Sequence, residues 1–240
     1  MRHALPCAML LLSCSGLAAA AENATITQAL QRIAPTAKID SVRASSMPGV
    51  KEVVVGGEVL YVSDDGKFLL QGRMLDTSTR VDLTERTEKT LRAKALKQIG
   101  PEKRLSFAAD KPKHHVTIFT DVDCGYCRKL HQEIAAFNEA GISVDYLFFP
   151  RAGMNSASFD KAAFIWCADD RKQAMNQSMS PAGLAHTAAQ CQTPIAETMA
   201  LGQRLAKSGT PTILAEDGSF LGGYQSAAEL SQRLIAQNIR

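Results

Sequence analysis

The sequence predicts an α+β protein in two parts: a small amino-terminal domain of a helix and antiparallel strands, then a linker helix and a larger domain with a helical insert. Three observations predict it. Short apolar runs between residues 53 and 70 are broken by Gly56-Gly57 and by Ser63-Asp-Asp-Gly66, a pattern of strands joined by tight turns. From Pro101 onward, strand-like and helix-like stretches alternate. Between them in importance stands Val116-Thr-Ile-Phe-Thr-Asp-Val-Asp-Cys124-Gly-Tyr-Cys127-Arg-Lys-Leu-His131, where a β-branched and aromatic run passes into helical spacing at two cysteines.

Taken in order, the chain opens with Arg2 as the only charge before Glu22, an apolar run from Leu5 to Leu12 and small residues from Ala18 to Ala21. That predicts a secretory signal peptide over residues 1–21, cleaved after Ala20 or Ala21, with an apolar run too short to span a membrane. Leu11-Leu12-Ser13-Cys14 loosely matches a lipoprotein box, so anchoring at Cys14 is the alternative. Ile26, Ala29, Leu30 and Ile33 then mark one face of a short helix that ends before Pro35. Strands follow over 53–55, 58–62 and 67–70. The domain over residues 22–80 is small enough to be marginal alone, which predicts pairing with a second copy through strand edges and apolar faces. Its scarcity of charge between Val50 and Val62 is also compatible with holding unfolded clients, as a chaperone does.

Asp82 and Glu85 have the form of a capping box and Gly100-Pro101 is a stop signal, so a helix spans residues 81–100. Glu85 with Lys89 and Glu88 with Arg92 are favourable pairs, while Leu91, Ala95 and Ile99 form only a narrow apolar seam. A solvated connector is expected. The domain over residues 101–240 reads as strands at 103–107 and 115–120, a helix to about residue 140, and a strand at 142–149. A helical insert over about 157–207 comes next, then strands at 210–215 and 219–221 and a last helix from Ser226.

The chemistry is read from the cysteines. At a helix start, Cys124 faces unpaired backbone N–H groups and the positive end of the helix dipole, which favour the thiolate and make it the nucleophile. Cys127 lies less than a turn on, placed to close a disulfide and to resolve a mixed one. With His131 a turn beyond, the pair is also half of a zinc site, but no second ligand pair of similar spacing follows. Removal of Cys7 and Cys14 with the signal leaves four of six cysteines, and Cys167 and Cys191 remain as the second pair. A bridge there removes about 3.5 kcal/mol of chain entropy from the unfolded state on the loop-closure model. Asp123, directly before the nucleophile, is expected to oppose the helix dipole and raise the Cys124 pKa.

The mature chain keeps 26 of 27 Lys and Arg (Arg2 is lost) and all 24 Asp and Glu, about +2 net, so no nucleic-acid partner is implied.

An ordered set of stretches resembles the family of DsbC-type bacterial periplasmic disulfide isomerases, within the thioredoxin-like superfamily. These are Val59-Leu-Tyr-Val-Ser-Asp-Asp-Gly66-Lys, Phe119-Thr-Asp-Val-Asp-Cys-Gly-Tyr-Cys127, His131, Tyr146-Leu-Phe-Phe-Pro150-Arg, Ile165-Trp-Cys167-Ala, Ser208-Gly-Thr-Pro211 and Gly223-Tyr-Gln225. The resemblance implies a dimerisation domain, a linker helix and a thioredoxin-like catalytic domain in a V-shaped homodimer, with misfolded, disulfide-containing exported proteins bound in the cleft. It implies that Cys124 attacks, Cys127 resolves, and Cys167 and Cys191 form a structural bridge. Thr210 and Pro211 would form a cis-proline loop that, with Gly125 and Tyr126, meets the substrate. It also implies an inner-membrane thiol reductant of the DsbD type; no metal or cofactor is expected.

Overall fold

A computed structural model describes residues 14–183, 191–206 and 209–239, with side chains described from residue 23 in the first helix. Residues 1–13 of the expected signal peptide, and the Cys14 side chain, lie outside the described residues. The chain divides into two compact units, residues 1–84 and 85–240.

In the first unit, α1 (Cys14–Ile33) precedes β1 (Ile39–Ala44), β2 (Val50–Val55), β3 (Glu58–Ser63) and β4 (Leu69–Leu70), which form one sheet in that order. A separate ribbon pairs β5 (Leu75–Asp76) with β6 (Val81–Asp82). All the pairings in this unit are antiparallel. Gly56 and Gly57 both take positive φ, which only glycine adopts without strain, and so join β2 to β3 in a two-residue turn. Ile26 and Leu30 of α1 pack on Val53 and Val62, a small core. Strand β1, which the sequence does not signal, carries Ile39-Asp-Ser-Val-Arg-Ala with no fully buried residue. Its place is set by pairing with β2 rather than by its own apolar pattern.

The second unit begins within α2 (Leu83–Gln98). Its sheet, in order β11 (Phe220–Gly222), β10 (Thr212–Ala215), β8 (His114–Thr120), β9 (Ile142–Phe148), β7 (Leu105–Phe107), is parallel only between β8 and β9. Between β8 and β9 run α3 (Gly125–Gln132) and α4 (Ile134–Glu139). One continuous helix is expected there, but it breaks at Glu133, whose carboxylate accepts hydrogen bonds from Tyr224 Oη (2.6 Å) and the Ala227 amide (3.2 Å). The insert resolves into α5 (Ala157–Cys167), α6 (Arg171–Met179) and α7 (Ile195–Leu205), and α8 (Ala227–Ala236) closes the chain. Residues 184–190 and 207–208 of the expected insert and cis-proline stretch lie outside the described residues.

Every residue of β9 is buried, because helices cover both faces of the sheet. Side chains alternate accordingly: Val116 and Ile118 join the larger core under α3, α5 and α6, whereas Phe119, Leu147 and Leu214 face the other side. There they meet Ala95, Leu96 and Ile99 of α2 together with Leu201.

This corrects the expectation of a solvated connector. The apolar seam of α2 is narrow, but Leu96 widens it at the carboxyl end, and that half of the helix is a core element of the second unit. Arg92 reinforces the docking: its Nε donates to the Gly218 carbonyl at 2.6 Å, and Lys89 pairs with Asp217 at 2.5 Å. Gly218 sits at φ +85°, and a Cβ there would collide with the Lys89 carbonyl oxygen and lie 2.7 Å from the Ala93 amide nitrogen. Gly218→Ala is therefore expected to cost about 2–4 kcal/mol, from backbone strain plus loss of helix docking. Urea denaturation of the mature protein checks it; a change within about 0.5 kcal/mol, the range of an ordinary surface substitution, would show that α2 is not held at this turn.

Candidate active site

The loop from β8 into α3 is fixed by one buried carboxylate. Asp121 Oδ1 accepts from the Asp123 amide (2.9 Å) and the Ser158 hydroxyl, and Oδ2 accepts from the amide and Nε of Arg151, each at 3.0 Å. Burial alone would raise the Asp121 pKa, but these donors outweigh it and hold the carboxyl below its ordinary value. The Asp121 carbonyl in turn accepts the Cys124 amide at 3.0 Å.

Cys124 is thereby the N-cap residue of α3, with extended backbone (φ −84°, ψ 119°) and no side-chain capping bond to the helix. Its sulfur is aimed instead at the loop before β10, 3.2 Å from the Thr210 carbonyl oxygen, where the Thr210–Pro211 peptide is cis. Both Cys124 and Cys127 are free thiols and both are buried, Cys124 at 4% exposure and Cys127 at 1%.

Their acidities diverge. For Cys124, burial raises the pKa, but the Thr210 side chain, the Cys127 amide and thiol and the charge of Arg151 more than offset it, so the thiol lies below its ordinary value. For Cys127, burial dominates and pushes the thiol up to about 12, the Cys124 charge adding to the effect. The side chains of Thr120 and Thr210 flank the pair, and each hydroxyl is buried with no hydrogen-bond partner of full geometry.

Around the sulfurs, Gly125 leaves open space where a side chain would be, and Tyr126 is exposed. The Tyr126 and Tyr224 rings lie 6.0 Å apart, and Lys129 Nζ sits 4.5 Å over the Tyr224 ring. His131 is buried, with Nδ1 3.1 Å from Tyr146 Oη and Nε2 2.9 Å from Asn176 Oδ1. Because Asn176 Oδ1 can only accept, Nε2 carries the proton and Tyr146 donates to Nδ1. Both ring nitrogens are committed to the core, and burial lowers the His131 pKa. Cys167, at the end of α5, is bridged to Cys191 across a Cα–Cα distance of 5.7 Å.

The structure thus brings Cys124, Gly125, Tyr126, Cys127, Thr210 and Pro211 to one place and sets Cys167 and Cys191 apart in the insert. Sequence reasoning assigned no role to Thr120, Asp121, Arg151, Ser158 or Lys161. Arg151 stands in one of the stretches that carry the resemblance, a signal that was available. Thr120 and Asp121 stand in another of them, whereas Ser158 and Lys161 act through contacts with Asp121 and Asp123 across more than thirty residues of chain and leave no local pattern. Asp123 departs from expectation: its carboxylate is paired with Lys161 Nζ at 2.6 Å and Arg128 Nη2 at 3.5 Å, so it does not stand as a bare negative charge before the nucleophile.

An acidic thiol at a helix amino terminus beside a thiol held protonated supports one ordered chemistry. In that chemistry an outer sulfur that is readily a thiolate can attack a disulfide, and an inner one can act only after losing its proton.

Two family models divide the chain: the disulfide bond isomerase protein N-terminal domain matches residues 17–85 and the thioredoxin-like domain matches residues 101–238. The thiol:disulfide interchange protein DsbC of Escherichia coli (strain K12) is 37% identical over 227 residues, 94% of this chain and 92% of the relative. That of Dickeya dadantii is 38% identical over 230 residues, 95% and 92% of the two chains. Among solved structures, a disulfide interchange protein from Neisseria gonorrhoeae aligns with a TM-score of 0.51 at 27% identity, covering 58% of this chain and 98% of its own. With its thioredoxin-like sheet and its near full-length match to those relatives, this chain belongs to the DsbC family of thiol:disulfide interchange proteins.

Proposed function

We propose that this thiol-disulfide oxidoreductase is a periplasmic disulfide isomerase and reductase that rearranges incorrect disulfides in exported proteins. The observation that carries the reading is the split in acidity between Cys124, below its ordinary value, and Cys127, pushed up to about 12. Cys124 attacks a client disulfide, forming a mixed disulfide and releasing a client thiolate, which takes up a proton. Cys127, being protonated, resolves slowly, so the client's own thiols have time to attack and reshuffle. A dithiol oxidase of the same fold would use the same split, so the two readings are separated by whether the Cys124–Cys127 pair is held mainly reduced or mainly oxidised in cells. Thr210 and Pro211, with Gly125 and Tyr126, receive the client backbone next to the sulfur. Cys167 and Cys191 serve structure.

The protein acts as a homodimer through residues 22–80. Phe68, Leu69, Leu70 and Leu75 are exposed in that domain, a run of apolar side chains that a second copy would cover. The same surface favours a holding function for unfolded clients beside the redox one. The signal-like amino terminus supports export, and a reductant of the DsbD type at the inner membrane would keep the pair as thiols. Rescue of scrambled ribonuclease by the purified, reduced protein is the test; oxidation of reduced ribonuclease without rescue of the scrambled form would favour the oxidase.

A further inference from the structure

Three charged side chains meet beside the nucleophile and are not accounted for by attack or resolution. Asp123, from the loop before α3, pairs with Lys161 of α5 at 2.6 Å and with Arg128 of α3 at 3.5 Å. Arg128 is itself fixed, its Nε donating to the Val122 carbonyl at 2.8 Å. Lys161 and Asp123 are only partly exposed, with 28% and 36% of their side chains accessible. One carboxylate held by two cations leaves the cluster with a charge of +1.

We infer that Lys161, with Arg128, is a positioning residue for thiol-disulfide exchange: it holds the Asp123 carboxylate in a net positive cluster, so that a negative charge one residue before Cys124 does not oppose its thiolate. The inference rests on Cys124 being the attacking thiol. The groups facing Cys124 from the elements packed on it are few: Asp121 and Asp123 in its own loop, Cys127 and Arg128 on α3, Arg151 held by Asp121, Lys161 on α5, and Thr210 opposite. Arg151 is already paired with the buried Asp121, so its field is divided. Lys161 and Arg128 balance the neighbouring Asp123 carboxylate with one positive charge to spare. The Cys124 thiol lies below its ordinary value because Thr210, Cys127 and Arg151 offset its burial, and Asp123, although it directly precedes the sulfur, is not among the main groups that raise it.

The charges make the test a cycle. Lys161→Gln lowers the cluster from +1 to 0, Asp123→Asn raises it to +2, and the double variant returns it to +1. Titration of the mature protein, without residues 1–21, reduced at Cys124 and Cys127 and with the Cys167–Cys191 bridge intact, by thiolate ultraviolet absorbance reads Cys124 below pH 9, since burial pushes the Cys127 thiol up to about 12. Lys161→Gln is expected to raise the Cys124 midpoint by about half a unit, Asp123→Asn to lower it by a similar amount, and the double variant to restore the wild-type value. The shifts should shrink in high salt, because the cluster is partly exposed. A merely structural role for Lys161 would lower thermal stability without moving the midpoint. An unmoved midpoint in Lys161→Gln, or a double variant no closer to wild type than Lys161→Gln, would overturn the inference. If wild-type protein itself showed no thiolate step below pH 9, the reading of Cys124 as nucleophile would fail instead.

Discussion

Replacing Cys124 with Ala is expected to abolish rescue of scrambled ribonuclease, a loss of about a thousandfold or more, as for other enzymes stripped of a covalent nucleophile. No neighbouring group can substitute. Cys127 is buried and its thiol is pushed up to about 12, so almost none of it is thiolate at neutral pH, and the Cys167–Cys191 bridge holds the only other cysteines of the expected mature chain. Cys127→Ala separates two reactions. Net reduction of a disulfide needs a second sulfur to release the product, whereas reshuffling needs only that a client thiol displace Cys124. That variant should therefore reduce small disulfides poorly yet retain part of the rescue. Full rescue by Cys124→Ala would dismiss the proposed chemistry.

Removing the first unit is expected to have the second-largest effect. A fragment beginning at Asp82 keeps α2, and with it Ala95, Leu96 and Ile99 against Phe119, Leu147 and Leu214. It should fold as a monomer and reduce small disulfides at close to the full rate per Cys124. Cutting at Pro101 instead would strip that side of the sheet, which is why the boundary matters. Rescue of scrambled ribonuclease by the Asp82 fragment is expected to fall at least about tenfold, since a client released from one site is no longer kept at high effective concentration by a second. Sedimentation of both proteins alongside the rescue assay checks it. A monomeric full-length protein, or a fragment with undiminished rescue, would remove the dimer from the mechanism.

What could be read in the sequence was what is local. The change of period at Cys124 located the strand-to-helix junction, and Thr210-Pro211 was placed beside it through the resemblance. The two-residue glycine turn at Gly56 and Gly57 was likewise legible. What escaped notice is long-range. Asp121 is an unremarked carboxylate until the fold brings Arg151 and Ser158 to it, and Asp123 reads as an obstacle until α5 delivers Lys161. The docking of α2 was missed because burial of a narrow seam depends on the sheet face it meets, and β1 because an edge strand with few buried side chains shows weak alternation.

The central claim is that Cys124 holds a client covalently while Cys127 waits. The measurement nearest to it is mass spectrometry, without reductant, of Cys127→Ala mixed with scrambled ribonuclease and quenched in acid. The expected result is an adduct joining Cys124 to a ribonuclease cysteine. No adduct from a variant that still rescues, or an adduct at Cys167 or Cys191, would contradict it.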